Sequence, residues 1–355
     1  MKTLFDYMNE RLHDIPIGNG YETIEDFIND DKESANFIRK ALNDEFAFTD
    51  KENSTYTIAE TRARHSVITF LMGLVFWTNL SYIVNSLQEK LTFCKDFEDM
   101  QKIWMMVSMY HDYGYFSEYI KRENFSYKVL RHQLLSQDSV VNKCSMIDIL
   151  AFNHDEIMEY DKAARIFHCK SGDEEKIDHG ILGGHLIFDR LMRKMHKCNN
   201  FNEQSFISVS ALTIAQHNMY KSNTIEDDKR FANKPKILRS ESSFRLSINT
   251  PLLLLLCIVD TIECIKKFSK SANEKKHLKS VTVLKSIFVV PTANRIELDL
   301  THLKERILEK QDNGLMEIYE NYKNSIINLS NWTTLKCGNC GERFTIELSK
   351  NKIRR

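Results

Sequence analysis

Apolar residues recur at helical spacing through most of this chain, and polar, charged stretches separate the runs more often than proline or glycine does. From Thr57 a charged opening, Thr61-Arg62-Ala63-Arg64-His65, leads into twelve residues from Ser66 to Trp77 that are apolar on nearly every side, which predicts a central, buried helix. A second helix is predicted over residues 96–120, around Ile103-Trp104-Met105-Met106-Val107, and residues 140–152 are again apolar. Further helices are predicted from Asp178 to about Met195 and from Phe206 to Ala215. Thr250-Pro251 reads as an N-cap and first helical position ahead of a leucine run that continues to Glu263.

Beyond about Lys270 the pattern changes to short β-rich segments, Ile287-Phe288-Val289-Val290 and Arg295-Ile296-Glu297-Leu298-Asp299-Leu300, followed by one last helix over residues 302–321. The expected fold is therefore mainly α with a small α/β C-terminal region. Residues 1–53 form an N-terminal helical extension of short helices and turns packed on the outside of the core, residues 54–270 the main helical domain, and residues 271–355 the appendage. The polar connection from Lys221 to about Ser247 is long for a compact domain and suits a lid or binding loop.

Composition narrows the field. With 355 residues and 42% hydrophobic content the chain can bury a sizeable core, and 4 Pro with 11 Gly agree with helix. Lys+Arg and Asp+Glu both number 49, so the basic excess of an extended nucleic-acid binder is absent. The first residues offer no signal-peptide core, and the run from Pro251 to Val259 is far short of the roughly 18 apolar residues of a membrane span. A cytoplasmic protein without a membrane partner is expected. The 8 cysteines are scattered, which suits reduced thiols rather than a disulfide framework. Cys337-Gly338-Asn339-Cys340 has no second cysteine pair, so a β-hairpin turning at Gly338-Asn339 is expected there in place of a zinc ribbon.

Candidate chemistry centres on Tyr110-His111-Asp112-Tyr113-Gly114-Tyr115, where two adjacent metal-type ligands close an apolar run. Neighbouring helical residues point about 100° apart, so His111 and Asp112 do not chelate one ion as a simple pair. They suit a site in which the imidazole binds one cation and the carboxylate bridges to a second, roughly 3.5–4 Å away. His65 stands where its helix turns from charged to buried, His179 and His217 flank other apolar helices, and Asp260 lies in the leucine run. Burying an ionised carboxylate such as Asp260 costs several kcal/mol unless a cation or donors compensate it; a salt bridge to Arg or Lys is the alternative. Three glycines, Gly180, Gly183 and Gly184, near one helix start cost roughly 1 kcal/mol each unless something approaches the backbone, a neighbouring helix or a bound phosphate. His13-Asp14 reads as chance, and His154-Asp155 as a surface helix end or a substrate-proximal loop.

In order, His65, His111-Asp112, His179, His217 and Asp260 resemble the pattern of the HD-domain superfamily, closest to its members with two metals: phosphodiesterases, CRISPR-associated nucleases and mixed-valent diiron oxygenases. The resemblance covers roughly residues 57–267. It implies an HD-type helical core in which His65, His111, Asp112 and Asp260 hold one ion while Asp112 bridges to a second held by His179 and His217. The implied cofactors are two divalent transition-metal ions (Mn, Fe, Co, Ni or Zn, with Mg also compatible), and the implied chemistry is a metal-bound hydroxide attacking phosphorus. Tyr115 stands where the cyclic-dinucleotide subgroup has Lys, its His-His pair is here His217-Asn218, and its Gly-Tyr-Pro signature is absent, so that specificity is not implied.

The expected function is thus a metal-dependent phosphohydrolase or phosphodiesterase with a small phosphorylated partner, a nucleotide first. Asp112, Arg62 and His185 are the candidate catalytic groups, and Arg62, one turn before His65, is placed to meet a phosphate. His154, Tyr115 and Lys221 are further pocket candidates. A single-strand nuclease, a diiron oxygenase and a non-catalytic sensing module are the alternatives. No phosphate-binding loop, nucleophile elbow or dinucleotide-binding glycine motif offers another enzyme class.

Overall fold

In a computed structural model of the chain, the residues described are 2–11, 25, 55–114, 179–195, 201–221, 250–263, 280–331, 333–338 and 341–348. They form ten α-helices and one small antiparallel sheet. The helices are α1 (Leu4–Arg11), α2 (Thr55–Asn79), α3 (Ser81–Lys90), α4 (Phe97–Tyr110), α5 (His179–Met195), α6 (Phe201–Lys221), α7 (Thr250–Ile262), α8 (Ser280–Leu284), α9 (Thr301–Glu309) and α10 (Asn313–Asn328). The strands are β1 (Ile287–Val290), β2 (Arg295–Asp299), β3 (Thr334–Cys337) and β4 (Arg343–Glu347). Among the described residues no single helix is long and apolar enough to cross a membrane. The chain divides into two compact units, Met1–Val84 with Ile258–Arg354, and Asn85–Cys257.

In the first unit, α2 carries out the expectation of an all-round apolar helix: Val67 to Trp77 are buried without a solvent stripe except for a slight opening at Leu74. The helix ends on its own side chains, since Thr78 Oγ1 donates to Leu74 O and Asn79 Nδ2 to Val75 O, satisfying terminal carbonyls. The N-terminus of α3 is capped from a distance. Asn294, left-handed at φ 48°, accepts from both Ser81 Oγ and Tyr82 N–H. Helix α1 packs against α2, α8 and β1, with Leu4 and Met8 fully buried. Two apolar side chains one turn apart need cover, and the unit provides it.

The sheet order is β1-β2-β4-β3, antiparallel throughout, with Ile296 opposite Val289 on one side and Ile346 on the other. Alternate residues Ile287, Val289, Ile296, Leu298, Phe344 and Ile346 turn inward, as a two-residue side-chain period requires. The expected single helix over 302–321 is two, α9 and α10. Gln311 is left-handed at φ 50°, and Asp312 Oδ1 then accepts from Gly314 and Leu315 N–H, starting a new helix. The hairpin expected at the cysteine pair forms from β3 and β4, with Gly338 N–H donating to Arg343 O and Gly341 left-handed at φ 69°. Cys337 is an exposed free thiol, and burial, helped by Asp99 and Asp96, pushes the Cys94 thiol up to about 12.

Between the helices and the sheet of this unit lies Glu342, buried, accepting from Lys304 Nζ at 2.6 Å, Lys323 Nζ at 3.3 Å and Tyr319 Oη. Burial alone would raise its pKa, but hydrogen bonds from Lys304, Tyr319 and Lys323 outweigh that and hold it below the ordinary carboxylate value. Its stabilising contribution is complete above the unfolded pKa near 4.5 and is lost as pH falls through the lower folded value. Glu342→Gln is expected to cost about 1–3 kcal/mol at pH 7 in urea unfolding, with the gap to wild type closing as pH drops below about 4.

Candidate metal centre

In the second unit, α4 opens at an Asp96 cap, whose side chain accepts from Asp99 N–H, and closes at Tyr110 with His111 as its C-cap. His111 and Asp112 therefore sit on a turn past the helix, which corrects the expectation of a helix over 96–120 carrying both. The reason is Gly114. A Cβ there would lie 1.8 Å from His179 O and 2.8 Å from Gly183 N, so the chain leaves the helix and meets α5 backbone to backbone. Gly184 makes the matching approach on α6, where a Cβ would come within 2.4 Å of Ala211 O. Two of the three costly glycines of α5, Gly183 and Gly184, are explained by close packing to a turn and a helix. Helix α6 runs from Phe201 to Lys221, so His217 and Asn218 lie inside it instead of following a helix end at Ala215.

These packings bring ligand atoms of Asp112, His179 and His217 within 4.8 Å of one another in a buried group. Asp112 Oδ1 is 3.4 Å from His179 Nε2 and 3.7 Å from His111 Nε2, so one carboxylate serves two imidazoles. The His111 and His217 rings stand nearly perpendicular with centroids 5.6 Å apart, and His179 and His217 are 5.3 Å apart. Nδ1 of His111 lies 2.7 Å from Ser108 O, and Nδ1 of His217 lies 2.7 Å from Ile214 O. A carbonyl only accepts, so each Nδ1 carries the proton, and in the neutral ring each Nε2 keeps its lone pair. That is the tautomer a metal ion needs. Asn218 Nδ2, in the position where the resemblance noted a departure, lies 2.9 Å from His179 Nε2.

The first unit holds the other candidates. His65 Nε2 is 3.1 Å from Asp260 Oδ1, and its Nδ1 is hydrogen-bonded to Glu263, a residue the sequence pattern does not flag. Its signal was available: Glu263 follows Asp260 by three residues, which puts both carboxylates on one helix face. Arg62 lies in α2, but its side chain is outside the described residues, as are His13, Asp14, Tyr115, His154 and Asp155; only the helical backbone of Lys221 is described. His185 is buried in α5 and belongs to neither ligand group.

Imidazole nitrogen mixed with carboxylate oxygen, in buried positions and with two tautomers fixed by carbonyls, fits a transition-metal ion better than a hard cation. Buried His and Asp groups in this chain can thus hold a metal ion. No protein-family model, curated protein or solved structure matches the chain.

Two outcomes follow from this geometry. Gly114→Ala is expected to cost at least about 2 kcal/mol, because its methyl group meets the His179 carbonyl rather than a movable side chain; chemical unfolding of the metal-free protein measures it. Burial pushes His185 down from 6.5 to about 4. The unfolded chain therefore takes up a proton that the folded one refuses between those values, so stability is full above pH 6.5 and declines toward pH 4. Thermal melts from pH 7 to 4 are expected to show that slope in wild type and a flatter one in His185→Gln.

Proposed function

We propose that this protein is a metal-dependent phosphohydrolase acting on a nucleotide or another small phosphoester. Its support is the buried Asp112, His179 and His217 group, with Asp112 shared between His179 and His111. A carboxylate placed between imidazoles is the arrangement that bridging two cations requires, and the HD-type resemblance has the same order of ligands. In the first unit, His65 Nε2 and Asp260 Oδ1, 3.1 Å apart, are a nitrogen and an oxygen donor of the kinds that pattern also uses.

Bound metal ions supply a Lewis acid and a hydroxide nucleophile at neutral pH, so no nucleophilic side chain is needed. The chain's own residues then have definite tasks. His111 and His217 offer Nε2 because Ser108 O and Ile214 O keep the proton on Nδ1. Asp112 supplies negative charge, and burial of the group limits access of bulk water, which strengthens each electrostatic contact. Arg62, one helical turn before His65, remains the candidate cation for a phosphate group.

Elemental analysis of wild type, Asp112→Ala and His217→Ala tests the reading, together with a panel of nucleotides and phosphoesters. Wild type is expected to carry about two transition-metal ions per chain and to hydrolyse a phosphoester only when metal is present. Both variants should lose metal and activity while keeping the helical circular dichroism signal. Unchanged metal-dependent hydrolysis by Asp112→Ala would overturn the proposal. Iron in wild type, with oxygen consumption and no hydrolysis, would move the assignment to the oxygenase branch.

A further inference from the structure

We infer that Glu263 is the positioning residue for His65, holding its imidazole in the Nδ1–H form so that the Nε2 lone pair, beside Asp260, faces a divalent transition-metal ion. This rests on the metal-dependent reading and adds to it a residue outside the ligand pattern.

The three side chains form an ordered series. Glu263 N–H donates to Val259 O at 2.7 Å, so the last turn of α7 continues through it and carries Asp260 and Glu263 to the same side. Each ring nitrogen of His65 consequently faces a carboxylate: Nδ1 is bonded to Glu263 Oε2, and Nε2 is 3.1 Å from Asp260 Oδ1. The Glu263 side chain is fully buried and that of His65 is 2% exposed. A buried carboxylate is an expensive way to fill space, since an apolar residue of similar volume would avoid several kcal/mol of desolvation.

A ring with a carboxylate on each nitrogen is either an imidazolium donating to both or a neutral imidazole with one N–H, and the neutral form is the one that a metal ion selects. An ionised carboxylate only accepts, and a neutral imidazole has one N–H and one lone pair. With the proton on Nδ1 toward Glu263, the Nε2 lone pair and Asp260 Oδ1 are two acceptors 3.1 Å apart. Two acceptors so close can share a cation as joint ligands. Asp260, at 11% exposure against none for Glu263, is the more open carboxylate, as a ligand should be and an orienting group need not be. His111 and His217 use backbone carbonyls for the same purpose, whereas Glu263 brings a full negative charge, which also strengthens the ring as a donor to metal.

The test is Co(II) titration of the full-length, metal-stripped protein, followed by visible absorption, for wild type, Asp260→Ala, Glu263→Gln and Glu263→Met. Glu263→Gln keeps the shape without the charge, and Glu263→Met keeps the volume without an acceptor, so one replacement remains informative if the other does not fold. The expected result is a loss of about 10–100-fold in Co(II) affinity for either variant, with a shifted Co(II) absorption band. The melting temperature of the metal-free protein should fall no further than in Asp260→Ala. Wild-type affinity and an unshifted band in the Glu263 variants, with binding lost in Asp260→Ala, would overturn the inference and leave the metal-dependent reading standing. Such a result would mean that the His65 ring is oriented without help from Glu263. Failure of wild type to bind Co(II) at all would overturn both.

Discussion

The close approach of Gly114 to the start of α5 is the constraint on which the second unit depends. No side chain can stand between the turn after Asp112 and the His179 carbonyl, so the carboxylate and the imidazole must meet. Gly184 against Ala211 fixes α5 on α6 in the same manner, and this carries His217 to the group. Side-chain chemistry at the centre is therefore set by backbone contacts around it, and packing that tight leaves little room for relaxation.

Much of the helical content is legible from the chain because periodicity and burial agree. The run from Val67 to Trp77 is apolar all round and is buried all round, and Thr250-Pro251 opens α7 where cap chemistry places it. The boundaries are less legible where a local signal competes with tertiary contact. Met105 through Tyr110 would continue happily as helix, yet α4 stops because Gly114 must reach α5. The break between α9 and α10 depends on a left-handed Gln311, which no periodic pattern announces. As for the site, histidines and aspartates at the edges of apolar faces are visible in the sequence. Glu263 is marked only by its three-residue spacing from Asp260, a weak signal because a glutamate at a helix end is ordinarily a solvated residue.

The three oriented imidazoles differ in what orients them. His111 and His217 lean on neutral carbonyls three residues back in their own turns, an arrangement that any regular helix offers at no added charge. His65 leans on an acid that the chain had to bring from nearly two hundred residues away. Neutral and anionic orienting groups give rings of unequal basicity. A chain that uses both has the means to distinguish its metal ligands without changing the ligand type.

The first unit draws α1 and α2 from the early part of the chain and its sheet from the late part, with Thr3 bridged to Phe288. During synthesis the apolar face of α1 and the all-round apolar α2 emerge long before β1 exists to receive them. The second unit, contiguous from residue 85 to 257, needs no such wait. Long-range closure of this kind slows folding and prolongs the life of sticky intermediates. The architecture thus makes the order of emergence from the ribosome, and the protection of α2 in the interval, part of how this protein reaches its native state.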